Sequence, residues 1–193
     1  MRWIVRCVPR WIVPRLALAL LLTTIGLAGL LLVPPLFDHG DKRVGTYVVE
    51  APASRCPSAM NDAAVRCEVN AFRAASNLAP LRKVGRLTRA ARAWSRTMVR
   101  DRFFAHSAPG KPVLAGRAKA AGYRPYRALG ENIAWGSGAA ASPAAIVAAW
   151  MQSPPHRAII LKPDFREAGV GIARRPPQGG EGATYVLDVG RPG

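Results

Sequence analysis

Gly130-Glu131-Asn132-Ile133-Ala134-Trp135-Gly136 is a short apolar stretch, closed by glycine at both ends and carrying a single carboxylate. Its length and its glycine borders predict a strand. A lone carboxylate in such a context is costly to bury unless partners meet it. Beyond the N-terminal forty residues the chain has two histidines, His106 and His156, and these are the obvious candidates. The residues alone therefore point to a shared polar site built from Glu131 and one or both imidazoles.

Towards the C-terminus, Gly169 to Ala173 and Thr184 to Val189 predict two more strands, the second with alternating Tyr185, Leu187 and Val189. Arg174 to Ala183, rich in Gly and Pro, reads as the loop joining them. Towards the N-terminus the period changes. Val65, Val69 and Phe72 predict a first helix ending near Asn77. Leu87, Ala91, Trp94 and Met98 give the second helix one apolar face, with Arg86, Arg89, Arg92, Arg96 and Arg100 along the other side. Ser142-Pro143 is a strong helix start, with Ile146, Val147, Trp150 and Met151 as its buried face. Pro154-Pro155 should stop that helix, and a short helix or turn is expected from His156 to about Leu161. Trp94, Trp135 and Trp150 are expected in the core, Ser153 as the cap of a turn, and Glu167 beside an arginine. Helices flanking a small antiparallel sheet make an α+β sandwich.

The first third of the chain is of a different kind. Residues 16–37 contain no charge and are long enough to cross a bilayer core, while Arg2, Arg6, Arg10 and Arg15 precede them. Two readings compete, a cleaved signal peptide and a retained anchor. The length of the run and the lack of a nearby Ala-x-Ala site favour the anchor. The expected organisation is a cytoplasmic basic segment at 1–15, a transmembrane anchor at 16–37, an extracytoplasmic stalk at 38–62 and one domain at 63–193. The net charge is +17, of which +13 remains when the four leading arginines are set aside. That excess suits an anionic surface such as lipid headgroups or wall polymers. Nucleic acid is not expected, because the domain lies outside the cell and no row of aromatics accompanies the arginines. Cys56 and Cys67 follow the anchor, where a disulfide persists, and their pairing is expected.

The common catalytic signatures are missing: no HExxH, no Cys-x-x-Cys, no phosphate-binding glycine loop and no GxSxG. Four motifs stand in their place. Phe103-Phe104-Ala105-His106, Gly130 to Gly136, Trp150-Met151-Gln152-Ser153-Pro154-Pro155-His156-Arg157 and Glu167-Ala168-Gly169-Val170-Gly171 occur in the order and approximate spacing of bacterial CAP domains. Val69 to Arg73 and Gly122-Tyr123 fit as well. From about Cys67 to Gly190 the chain resembles the CAP superfamily of cysteine-rich secretory, antigen 5 and pathogenesis-related proteins.

The resemblance implies a three-layer α/β/α sandwich with a cleft lined by two histidines and acidic residues. Position by position, His106 and His156 match the cleft histidines and Glu131 the glutamate of the Gly-Glu-Asn motif. Ser153 stands where animal and plant members carry a second glutamate, which weakens the transfer of any metal-dependent or proteolytic activity. Two imidazoles and a carboxylate still resemble a three-ligand zinc site with one open position, so zinc at His106 and His156 is an expectation to test. Three functions follow: a module binding a lipid or cell-envelope component at the His/Glu cleft, a metal-dependent hydrolase of peptide or wall substrates, and an adhesion protein acting through its basic surface.

Overall fold

The structure, a computed structural model, describes Pro52 and residues 55–193. The expected anchor at 16–37, the basic segment before it and most of the stalk lie outside these residues. Among the described residues no helix is long and apolar enough to cross a membrane.

Three long strands form the centre: β2 (Tyr126–Gly136), β3 (Glu167–Ala173) and β4 (Ala183–Pro192). A two-residue strand, β1 (Arg82–Lys83), joins the outer edge of β3, giving the order β1-β3-β4-β2. β4 pairs antiparallel with both neighbours, but β1 runs parallel to β3. The sheet is therefore mixed rather than purely antiparallel. Two residues carry no period to read, and this strand is set from outside: the Asn70 side chain donates to Leu81 O and accepts from Leu81 N.

Strand alternation decides the layers. Tyr185, Leu187 and Val189 of β4 face one core, with Val65, Val69 and Phe72 of α1 (Asp62–Ala75) and Ile146, Val147, Trp150 and Met151 of α4 (Pro143–Gln152). Val186 faces the opposite side, with Ile133 of β2 and Ala91, Trp94 and Met98 of α2 (Gly85–Arg100). A sheet with helices on both faces is the expected sandwich. α2 lies close on its face because Gly169 and Gly171 have no side chain there. A Cβ at Gly169 would sit 2.1 Å from Thr88 N, and one at Gly171 2.1 Å from the Ala91 carbonyl carbon.

α1 opens on the Asn61 side chain, which accepts from Ala64 N, and α4 on Ser142, which accepts from Ala145 N. The proline pair does end α4, yet it also starts α5 (Pro154–Ile160), two residues earlier than the periodicity indicates. Proline lacks an N–H that the first helical turn would leave unused, so the same pair terminates one helix and begins the next. A seven-residue helix, α3 (Leu114–Ala120), is not legible in the sequence. Arg73 is fully buried and donates to Ala79, Ile160, Lys162 and Phe165 carbonyls, fixing the turn from α5 into β3. Glu167 pairs with Arg82 at 3.1 Å, as expected of it, and also accepts from Tyr123 OH. Cys56 and Cys67 form the disulfide, joining the segment before α1 to its interior.

Candidate functional site

Trp94 organises one side of the site. Its indole N–H donates to Ala105 O at 3.2 Å and its ring meets Phe103 edge-on, so the loop after α2 is held down just before His106. The Arg117 guanidinium stacks on the same indole at 4.0 Å, a cation–π contact. From there Arg117 donates to the carbonyls of His106 and Pro112 and forms an ion pair with Glu131 Oε2. Both partners of that pair are almost wholly buried, with side chains 4% and 3% exposed.

Glu131 thus finds the partners its apolar strand demands, though only one is an imidazole. Its Oε1 lies 2.8 Å from His106 Nδ1. A carboxylate accepts, so Nδ1 carries the hydrogen of that bond. The His106 side chain is 56% exposed. Its ring is therefore oriented from within and open to solvent without.

His156 comes from the other side of the sheet. It lies in the first turn of α5, where its Nδ1 meets Ser153 Oγ at 2.8 Å. In place of the expected turn cap, the Ser153 hydroxyl orients the histidine, and α5 has no side-chain cap. Two bonds hold these helices to β2: Trp150 Nε1 donates to Ile133 O, and Asn132 Nδ2 donates to His156 O. β2 is the edge strand, so helices of both layers reach it, and the two imidazoles are near enough for His106 to act electrostatically on His156. Burial, then that neighbour, hold His156 below the ordinary 6.5. The structure joins His106 directly to Glu131 and His156 directly to Ser153; no hydrogen bond links His156 to Glu131 among the described residues.

Asp188 is not foreseen by the sequence. It is the β4 residue opposite Glu131 and is fully buried, as are both its carboxyl oxygens. Burial, followed by the Glu131 charge, raises its pKa well above 3.8. Neither oxygen has an ordinary donor; the interaction open to it is a proton shared with Glu131. Arg117 escapes sequence reasoning too, because nothing local marks an arginine on a short helix as internal. Trp135, expected in the core, is 43% exposed. It shares the face of Glu131 and Ile133, but near the end of the edge strand, past the cover of α2.

The profile described as "Cysteine-rich secretory protein family" (CAP) matches residues 68–188, well over half of the chain and all of the residues just described from Trp94 to Asp188. The chain belongs to this CAP family. A relative, the uncharacterized protein YkwD of Bacillus subtilis (strain 168), is 38% identical over 102 residues, covering 53% of this chain and 38% of its own length. Among solved structures, an extracellular protein containing an SCP domain from Bacillus anthracis str. Ames superposes with a TM-score of 0.58 at 24% identity, over 66% of this chain and 39% of that one. An outer surface protein of Borrelia burgdorferi gives 0.57 at 19% identity, over 66% of this chain and 89% of that one. The structural likenesses show the shared fold. The chain spans well under half the length of YkwD and of the Bacillus anthracis protein.

The CAP resemblance raises zinc. The residues present do not fit a three-ligand site, because Glu131 spends one oxygen on His106 and the other on Arg117. Among the described residues no three His, Cys, Asp or Glu side chains are grouped to hold a metal ion. Glu131 stands where an outer-shell carboxylate stands, orienting an imidazole rather than ligating beside it.

Proposed function

We propose that this CAP protein is an extracytoplasmic binding module, tethered through residues 16–37, that takes a lipid or cell-envelope ligand at the edge of β2 between His106 and His156. The observation that carries this reading is the placement of His106: its ring is fixed by Glu131 through Nδ1, while its side chain is more than half exposed. An oriented, exposed imidazole beside a second one suits recognition of a ligand hydroxyl or amide.

The same geometry closes two routes to hydrolysis, Glu131 as the base and Ser153 as the nucleophile. A general base must reach the proton it removes, and Glu131 is buried and committed to an ion pair. Ser153 does touch His156, but no carboxylate orients that histidine among the described hydrogen bonds, so the nucleophile–base–orienter chain is incomplete. The extracytoplasmic placement takes support from the printed descriptions of its structural neighbours, one extracellular and one an outer surface protein. A second reading, adhesion to anionic polymers, rests on one observation: Arg86, Arg89, Arg92, Arg96 and Arg100 line α2, and all five are open to solvent.

Native mass spectrometry of the protein purified from an exporting host, beside His106→Ala, tests the cleft. A co-purified mass lost in the variant is the expected result. The same adduct on both proteins, or a bare mass on both, overturns the reading. Binding to anionic vesicles that collapses with added salt would belong to the arginine ridge instead.

A further inference from the structure

The arginines of α2 do not form one surface. Arg100 pairs with Asp101, and Arg89 donates to the Ala121 carbonyl at the end of α3. Arg92 and Arg96 instead line a separate depression of about 220 Å³, where the start of α1 and the end of β3 meet α2. Arg174, the residue that follows β3, joins them there. Arg92 and Arg96 stand one helical turn apart, a spacing at which like charges destabilise a helix. One carboxylate, Asp62, shares the lining, and Lys83 Nζ holds it at 2.6 Å. Burial alone would raise the Asp62 pKa, but Lys83, Arg66 and Arg92 outweigh it and hold the group below 3.8. The potential here is positive, and no ion pair among the described residues takes up Arg92, Arg96 or Arg174.

The wall formed by β3 supplies a second feature. β1 stops at Lys83, and past Ala168 no strand pairs with the outer edge of β3 among the described residues. Val84 N donates to Ala168 O on that edge. Backbone groups alternate in direction along a strand, so the N–H and C=O of Val170 and Ile172 point the same way. Both residues line the depression. An open strand edge offers donors and acceptors together.

We propose that this depression binds a small polyol phosphomonoester, its terminal phosphate at Arg92, Arg96 and Arg174 and its hydroxyls along the edge at Val170 and Ile172. A terminal phosphate carries nearly two charges at neutral pH and presents three oxygens, which three guanidinium forks match. A diester has one charge and two free oxygens. At ~30 Å³ per water the volume equals roughly seven waters, room for one phosphate and a few carbons. The site uses neither histidine, and it rests on the second reading above only for the sign of the ligand's charge.

The test is equilibrium dialysis of the full chain, held in nanodiscs of zwitterionic phospholipid, against labelled glycerol 3-phosphate, glycerophosphoglycerol and glycerol, with empty nanodiscs subtracted. Glycerol 3-phosphate should be retained at one equivalent at pH 7.5, the diester more weakly and glycerol at background. Arg96→Gln and Arg174→Gln should each weaken the monoester about two- to fivefold, the scale of an exposed charge contact, and together about tenfold. Arg127→Gln removes an equal charge from β2, at the other edge of the sheet, and should leave retention unchanged. Lowering the pH to 5.5, below the second ionisation of the ester near ~6, should weaken the monoester and spare the diester. No retention of glycerol 3-phosphate, equal retention of monoester and diester, or an equal loss in Arg127→Gln overturns the proposal. Salt-sensitive binding to anionic vesicles alongside any of those results would leave the adhesion reading standing while the pocket falls.

Discussion

Glu131 and Asp188 lie directly across from one another on adjacent antiparallel strands, two acids in register on one buried face of the sheet. Like charges so placed destabilise each other, and burial together with the ion-paired Glu131 pushes the Asp188 carboxyl well above its ordinary pKa.

That arrangement has a defined sign against pH. The native pKa of Asp188 is raised above 3.8, so folded protein holds this proton where unfolded chain has released it. Its contribution is full below about 3.8 and is lost as pH climbs towards the native value. Asp188→Asn keeps the shape, supplies a donor for Glu131 and removes the titration. We expect it to be more stable than the parent at pH 8, by about 1–3 kcal/mol, with a flatter profile between pH 4 and 8. Urea unfolding of both proteins across that range checks this; a variant less stable at pH 8 with the parent's slope would refute it.

Arg117→Ala should act in the opposite direction. It leaves Glu131 buried without its cation, a loss of about 3–5 kcal/mol by analogy with broken buried pairs. Lysine should not rescue it fully, since one ammonium cannot reproduce the stack on Trp94 and the fork to Glu131, His106 and Pro112. Thermal unfolding of both variants measures the difference, and near-parental stability of Arg117→Ala would show the pair to be dispensable.

Gly171→Ala adds one methyl group where a Cβ would lie 2.1 Å from the carbonyl carbon of Ala91. Backbone cannot step aside as a flexible side chain can. The substitution should cost about 3 kcal/mol or more, because α2 must lift from β3. Gly179→Ala, at a loop position with open space but a φ of +90°, should cost only its local strain and serves as the control. A denaturation midpoint for Gly171→Ala no lower than that of the control would contradict this account.

His156 gives the second pH signature. Its native pKa lies below 6.5, so the unfolded chain takes up a proton before the folded one does. The associated stability is present above about 6.5 and is lost as pH falls through the lowered native value. NMR titration of the ring should show the displaced midpoint. His156→Gln should remove that part of the acid loss, and an unaltered slope between pH 7 and 5 would exclude it.

Much of this is legible because apolar period and burial agree. Leu87, Ala91, Trp94 and Met98 all bury as their spacing indicates, and Ser142-Pro143 begins a helix as written. Asp188 escapes notice for a physical reason. In Thr184 to Val189 the alternation assigns Tyr185, Leu187 and Val189 to the core, which leaves Asp188 on the face usually given to solvent. That inference holds for a strand covered on one side, but β4 is covered on both. The clue present is Gly169-Val170-Gly171, whose bare alternate positions admit a helix on that second face. α3 is hidden because its inward face consists of Arg117 and Ala118, which no hydrophobic period registers. The polar site is foreseeable from Glu131, but its main partner is an arginine that only the tertiary fold brings near.

The disulfide between Cys56 and Cys67 alters how tension would travel through the molecule. Cys67 lies in the second turn of α1, past Asn61 and the exposed start of that helix. Pull on the chain ahead of Cys56 would enter the domain at this covalent link and bypass the first turn, which would otherwise fray first. The load would reach a helix whose Val65 and Val69 are packed into the larger core and whose Arg73 grips three carbonyls from Ile160 to Phe165. The domain would resist extraction as one block, its weakest end protected.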